Sequence, residues 1–336
     1  MRKVTKLGRQ QVPTLLTLVL VLVYATVQGD PSGLAVGVNM MVAGIAAIGL
    51  TLAIGSAGQL ALGQAGFMAI GSYGTAYLML GKGWEFIPAF VVSVVISLVL
   101  GALVGYIALR LSGNYLAMAT LAVGSAIYAL LRLPGPLGGA NGYAPIPLPK
   151  ILGHTFFDPT QQFYLVAVVL LLVLAGVRVL QLSRVGRELV ALRDDEVAAR
   201  TVGINVTSRK VQVFAIASAI GGIAGAVNAP LQTAIDPTLF SSAVSLQLFV
   251  MVIIGGLGNI YGAVLGAGLV TYVIQSIPSN GSAALSVLGL VVVLFMAILP
   301  DGIAGVPEMV RKQLRRRRGA PPSESPTAVE QTELSA

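Results

Sequence analysis

A chain of 336 residues that is 56% hydrophobic, only 10% charged and has a mean hydropathy of +0.87 cannot cover itself with polar surface, since a soluble domain carries about 25% charged residues. It contains no cysteine, which excludes disulfides, thiolate nucleophiles and Cys-ligated metals. Its net charge of +8 would suit a nucleic-acid binder, but in so apolar a chain the placement of the charges decides more than their sum.

The first residues are basic (Arg2, Lys3, Lys6, Arg9) and precede an apolar run at 13–29. That run lacks a convincing small-residue cleavage site, so it reads as a retained first span rather than a secretory signal. Apolar segments follow at 34–54, 60–80, 86–109, 114–133, 162–182, 210–230, 243–260, 261–278 and 283–299. No Asp, Glu, Lys or Arg lies between Asp30 and Lys82 or between Asp236 and Asp301. One spanning helix takes roughly 20 apolar residues, so each charge-free run holds two or three. The expected architecture is all-α: a polytopic transmembrane bundle of about ten spans (8–10). It divides into a basic N-terminus (1–12), a membrane domain (13–305) and a basic, then disordered, tail (306–336). The segments 60–80 and 243–278 are rich in Gly, where a re-entrant or broken helix can hide.

With the N-terminus in the cytoplasm, Lys82, Arg132 and Lys150 alone among the 21 basic residues fall outside cytoplasmic positions. This asymmetry satisfies the positive-inside rule and places both termini, and the hydrophilic stretch 183–210, on the cytoplasmic side. The cluster Arg311, Lys312, Arg315 to Arg318 is then a topology anchor, and no nucleic-acid partner is expected.

Within the apolar segments no Asp, Glu, Lys or His sits near mid-membrane. Ionisable groups there cost roughly 2.5–3.5 kcal/mol on insertion scales and are kept for proton relays and ion paths, so their absence argues against proton-driven transport. His154 stands alone in an outer loop and reads as a surface histidine. Small and amide-bearing residues recur instead. Gly258, Gly262 and Gly266 are spaced for one helical face, where small residues let backbones approach. Gln59, Gln64, Asn114 and Asn259 each need a hydrogen-bond partner in hydrocarbon, through interhelical packing or, in the sharper reading, by lining a translocation path. Gly81-Lys82 is no Walker A loop, because Gly83 stands where Ser or Thr is required. Any nucleotide would be bound by a separate chain, and this one carries no cofactor of its own.

The stretch 183–210 mixes Glu188, Asp194, Asp195 and Glu196 with Arg187, Arg193 and Arg200. It predicts a surface helix of about four turns with Leu189, Leu192, Val197 and Ala199 as apolar contacts, ended by Gly203.

The segments LTLAIGSAGQLALGQAGFMAIGSYGT (50–75), GNYLAMATL (113–121), GGANG (138–142), the stretch 183–210 and GGLGNIYGAVLG (255–266) together resemble the LivM family of permeases of branched-chain amino acid ABC importers. The resemblance covers about 35–305 in order. It implies a non-catalytic permease of the type II importer kind in the bacterial inner membrane. Its partners would be a homologous LivH-type permease, two cytoplasmic ATPases that bind the ATP, and an extracytoplasmic binding protein. It further implies that 183–210 is the coupling segment, with Arg193, Glu196, Ala198, Ala199 and Gly203 engaging an ATPase. Val197 stands where the family pattern has Glu, with Glu196 one position earlier. The same scaffold serves other amino acids, urea and short amides. A self-sufficient secondary transporter or channel is the competing reading, and a membrane enzyme would need paired carboxylates or a His cluster that the chain does not show.

Overall fold

In a computed structural model, residues 30–108, 113–151 and 153–276 are described, together with 289 and 302. The expected span 13–29, the expected span 283–299 apart from residue 289, the N-terminal and C-terminal basic clusters, the tail 306–336 and Asp301 lie outside the described residues.

The described chain is helical apart from one small hairpin. Helix α1 (Pro31–Thr51) ends in a π-helical turn (Leu52–Ser56), and a non-helical stretch leads to α2 (Gln64–Ala76), which ends in a second π turn (Tyr77–Gly81). Then come α3 (Phe86–Ala108) and α4 (Asn114–Leu131), followed by a loop with a two-stranded hairpin, β1 (Lys150–Ile151) and β2 (His154–Thr155). Helix α5 (Pro159–Leu182) leads into two short charged helices, α6 (Arg184–Asp194) and α7 (Glu196–Thr201). The chain continues through α8 (Val206–Gln232), α9 (Ser242–Gly255) and α10 (Ile260–Ser276).

Among the described residues, five helices are long and apolar enough to cross a membrane: Pro31–Ser56, Phe86–Ala108, Asn114–Leu131, Pro159–Leu182 and Val206–Gln232. The expectation of about ten spans is met only in this coarser form. The expected span 60–80 loses its first residues to the non-helical stretch. The pair 243–260 and 261–278 becomes the shorter helices Ser242–Gly255 and Ile260–Ser276. At 1.5 Å per residue the 14 residues of α9 reach about 21 Å, short of a hydrocarbon core of about 30 Å.

Helix α8 is the hub, packed against α2, α3 and α1, while α1 also packs on α10 and α5. Small residues set these crossings. On α3 the buried side is Ala89, Ser93, Ser97, Gly101 and Gly105, each one turn on from the last. A Cβ at Gly101 would lie 2.4 Å from the Ser218 Cβ, and one at Gly222 would lie 2.4 Å from the Ser97 Oγ. Contact with α2 is closer still: a Cβ at Gly71 would fall 2.0 Å from the Gly222 carbonyl oxygen, and one at Gly225 would fall 1.9 Å from that of Met68. With no hydrophobic drive between helices in lipid, such backbone contact supplies the association. The opposite face of α3 is exposed and apolar, with Val91, Val95, Val99 and Leu103 turned outward.

The glycine row at 258, 262 and 266 is corrected in part. Gly262 and Gly266 lie on α10 against α9, where a Cβ at Gly266 would meet the Met251 carbonyl oxygen at 2.2 Å. Gly258 instead lies in the α9–α10 turn with φ +90, a left-handed conformation that glycine adopts without strain.

The GGANG segment caps the end of the bundle opposite α6 and α7. Tyr143 and Ile235 exchange backbone hydrogen bonds of 2.8 and 2.9 Å, and the Ile146 N–H donates to the Thr233 carbonyl at 2.7 Å. Gly142 (φ +68) must be glycine, since a Cβ there would sit 1.9 Å from the Ile235 oxygen. His154 is exposed on the hairpin, 3.3 Å from Gln161 Oε1, as expected of a surface histidine.

Candidate functional site

The single four-turn helix expected over 183–203 is two helices. The break falls at Asp195, whose backbone is extended (φ −155, ψ 111) and whose carboxylate accepts from the Val197 and Ala198 N–H groups at 2.8 and 3.0 Å. An Asp at this position satisfies the free N–H groups of a new helix, so it starts α7 rather than continuing α6. Ser183 caps α6 in the same manner, accepting from the Gly186 N–H. Gly203 (φ +83) ends α7, its N–H donating to the Arg200 carbonyl at 3.1 Å.

Leu189, Leu192 and Ala199 are buried against the bundle, whereas Val190, Val197 and Val202 are exposed, Val197 at 73% and Val202 at 75%. Two ion pairs tie the segment to the foot of α8: Glu188 with Arg209 at 2.5 Å and Glu196 with Lys210 at 2.6 Å. Glu196 also accepts from Arg200 at 2.8 Å. Its carboxyl is held below the usual range, chiefly by the Lys210 hydrogen bond, against a smaller opposing effect of burial. Arg193 turns the other way. Its Nη1 donates to the Gly55 carbonyl in the π turn of α1 at 2.6 Å.

The four amide-bearing residues expected along a path separate into distinct environments. Gln64, buried at the start of α2, donates through Nε2 to the Ala46 and Ala217 carbonyls at 3.2 and 3.1 Å, joining α1, α2 and α8. Gln59 is buried with both side-chain amide atoms unpartnered. It lines a cleft of about 230 Å3 together with Gly58, Gly113, Arg193, Glu196 and Lys210, among others. Asn114 is exposed at the start of α4, beside Gly113 of that cleft. Asn259 is exposed and caps α10, accepting from the Tyr261 and Gly262 N–H groups at 3.0 and 3.1 Å.

The non-helical stretch 57–63 carries backbone polar groups that lipid cannot satisfy. Side chains not singled out from the sequence do so. Thr120 Oγ1 on α4 accepts from the Leu62 N–H at 2.9 Å, and in the first turn of α2, just beyond the stretch, Ser245 Oγ on α9 accepts from the Ala65 N–H at 3.2 Å. Their only signal in the sequence is a hydroxyl in an apolar helix, which most often bonds its own preceding turn. Gly63 lets the stretch approach α4, since a Cβ there would lie 2.4 Å from the Thr120 oxygen. The arrangement gathers the 57–63 stretch, the starts of α4 and α8 and the α6–α7 segment around one cleft. It holds no nucleophile–base pair. No group of three or more His, Asp or Glu suited to a metal occurs among the described residues.

Comparison with known proteins gives a consistent result. Residues 34–299 match the family described as the branched-chain amino acid transport system permease component. The chain is 32% identical over 300 residues to the high-affinity branched-chain amino acid transport system permease protein LivM of Escherichia coli strain K12, covering 82% of this chain and 70% of that protein. Salmonella typhimurium LivM is 30% identical over 299 residues, with the same coverage. The E. coli K12 permease LivH is 28% identical over 287 residues, covering 78% of this chain and 91% of that protein. No solved structure matches.

Proposed function

Because the chain belongs to the branched-chain amino acid transport system permease family, we propose that it is the membrane-spanning subunit of an ATP-driven importer, translocating branched-chain amino acids across the bacterial inner membrane with energy from separate ATPase chains. Similarity to both LivM and LivH relatives supports pairing with a homologous LivH-type permease. Two cytoplasmic ATPases and an extracytoplasmic binding protein complete the assembly. The α6–α7 end and both termini face the cytoplasm, where the basic residues concentrate.

The observation that carries this reading is the α6–α7 segment. A charged helical arm that exposes Val190, Val197 and Val202 while ion-paired to α8 has the form of a surface held ready for a protein partner. Exposed Ala198 and Gly203 belong to that surface; buried Ala199 supports it from beneath. In this reading Gln59, Asn114 and Asn259 meet solute near the inner mouth, and Gln64, bonded to α1 and α8, supports the helices beside it.

The test is reconstitution in liposomes. The chain with a LivH-type permease, two ATPases and the binding protein accumulates labelled leucine, isoleucine or valine only with ATP. Replacing Gly203 with a bulky residue leaves insertion intact and abolishes uptake. Solute movement by this chain alone, without an ATPase, would overturn the proposal. Uptake of urea or an amide in place of leucine would reassign the substrate.

A further inference from the structure

Arg193, expected from the resemblance to engage an ATPase, is exposed on α6, and its guanidinium also reaches back to the membrane domain. Its Nη1 lies 2.6 Å from the Gly55 oxygen, the negative end of the α1 dipole. A Cβ at Gly258 would lie 3.3 Å from the same nitrogen, and one at Gly58 would lie 3.6 Å from the Arg193 Cγ. Gly55 and Gly258 are themselves in backbone contact, since a Cβ at Gly55 would fall 2.2 Å from the Gly258 Cα. One side chain from α6 therefore rests on two separate breaks in the helical core, the one after α1 and the one between α9 and α10. Resting on the proposed function above, we propose that Arg193 is the positioning residue that carries movement of the α6–α7 arm into those two breaks, and so sets the inner mouth.

Three features make the tie effective. The arm is fixed to α8 by Glu188–Arg209 and Glu196–Lys210, so Arg193 moves with the foot of α8. The carbonyl it holds ends a π-helical turn, where the regular helical ladder is already interrupted. The stretch just beyond carries Gln59, whose unpartnered amide lines the cleft that Arg193 also borders. Displacing the arm drags Gly55 and turns Gln59 with it.

The absence of native cysteine makes the test direct. Nitroxide labels at Val197→Cys on α7 and Leu257→Cys in the α9–α10 turn, both exposed positions, report one distance in the full chain purified by itself. Arg193→Met keeps the aliphatic stem against Gly58 and removes only the donors; Arg193→Lys keeps a donor. The expected result is a narrow distance distribution in the parent, a broad one in R193M and an intermediate one in R193K. In the complete transporter, leucine imported per ATP hydrolysed falls about ten-fold in R193M, with partial rescue in R193K. An unchanged distribution, an unchanged transport-to-hydrolysis ratio, or failure of R193M to insert would each overturn the assignment. Should the parent complex not import at all, the proposed function fails, while the distance measured in the lone chain still decides whether the tie exists.

Discussion

Gln59 and Gln64 occupy the same short stretch and are both buried, yet they make opposite predictions. Removing Gln64 withdraws a donor from two backbone carbonyls on different helices. Gln64→Ala should lower stability by about 1–2 kcal/mol, read as an earlier thermal transition of the detergent-solubilised chain. Gln59 gives up no hydrogen bond. Burial without a partner already costs free energy, so Gln59→Leu should leave the transition unchanged or raised while reducing uptake in the reconstituted transporter. A lowered transition in Gln59→Leu would mean the amide is held by the chain itself. Glu196 supplies a pH-dependent case. Its carboxyl is held below its ordinary value, so the stability it contributes is present above that value and is lost as pH falls through the lowered one. Glu196→Gln should speed amide exchange in α7 at neutral pH, and the difference from the parent should shrink as pH falls below the ordinary carboxylate range.

At the scale of elements, apolar runs with few glycines, such as 86–109 and 162–182, were legible because length and hydropathy suffice to mark a spanning helix. The glycine-rich runs were not. In 60–80 the start of the helix is set by where Thr120 and Ser245 satisfy backbone groups, which depends on distant chain, whereas in 243–278 the break falls where Asn259 caps α10 locally. The break at Asp195 was missed because adjacent Asp194 and Asp195 fit an exposed helix as well as a cap. Asp195→Ala should cost about 1 kcal/mol locally and raise exchange at Val197 and Ala198 while α6 stays protected. Helix crossings depend on glycine unequally. Gly71→Ala places a methyl against the Gly222 backbone, which cannot yield as a side chain can. It should destabilise by about 1–3 kcal/mol in thermal unfolding. Gly176→Ala on α5 meets nothing within 4 Å and should be neutral or slightly stabilising.

At the scale of the whole molecule, the chain's polarity is distributed for two solvents. The flank of α3 presents Val91, Val95, Val99 and Leu103 outward, a surface that water would not tolerate and lipid does. The α6–α7 arm presents single valines among charges, as a soluble docking surface does. Charge placement made this division legible from the sequence. The convergence of Gly55, Gly258 and Arg193 was not legible, because it joins residues far apart in the chain through backbone contacts that leave no periodic pattern. One substitution made in each region separates the two solvents. An arginine at Val99 places an ion against hydrocarbon at mid-helix, costing about 2.5–3.5 kcal/mol on insertion scales. Val99→Arg should therefore reduce the amount of chain inserted in the membrane. Val197→Arg meets only water at a site already 73% exposed, so insertion should equal that of the parent. The proposed docking role adds that uptake by the reconstituted transporter should nonetheless fall, because a charge replaces an apolar contact. Fractionation of both variants followed by leucine uptake checks the pair. Full insertion of Val99→Arg would mean that this flank of α3 is covered by protein rather than lipid, which would make it the candidate interface with the proposed second permease.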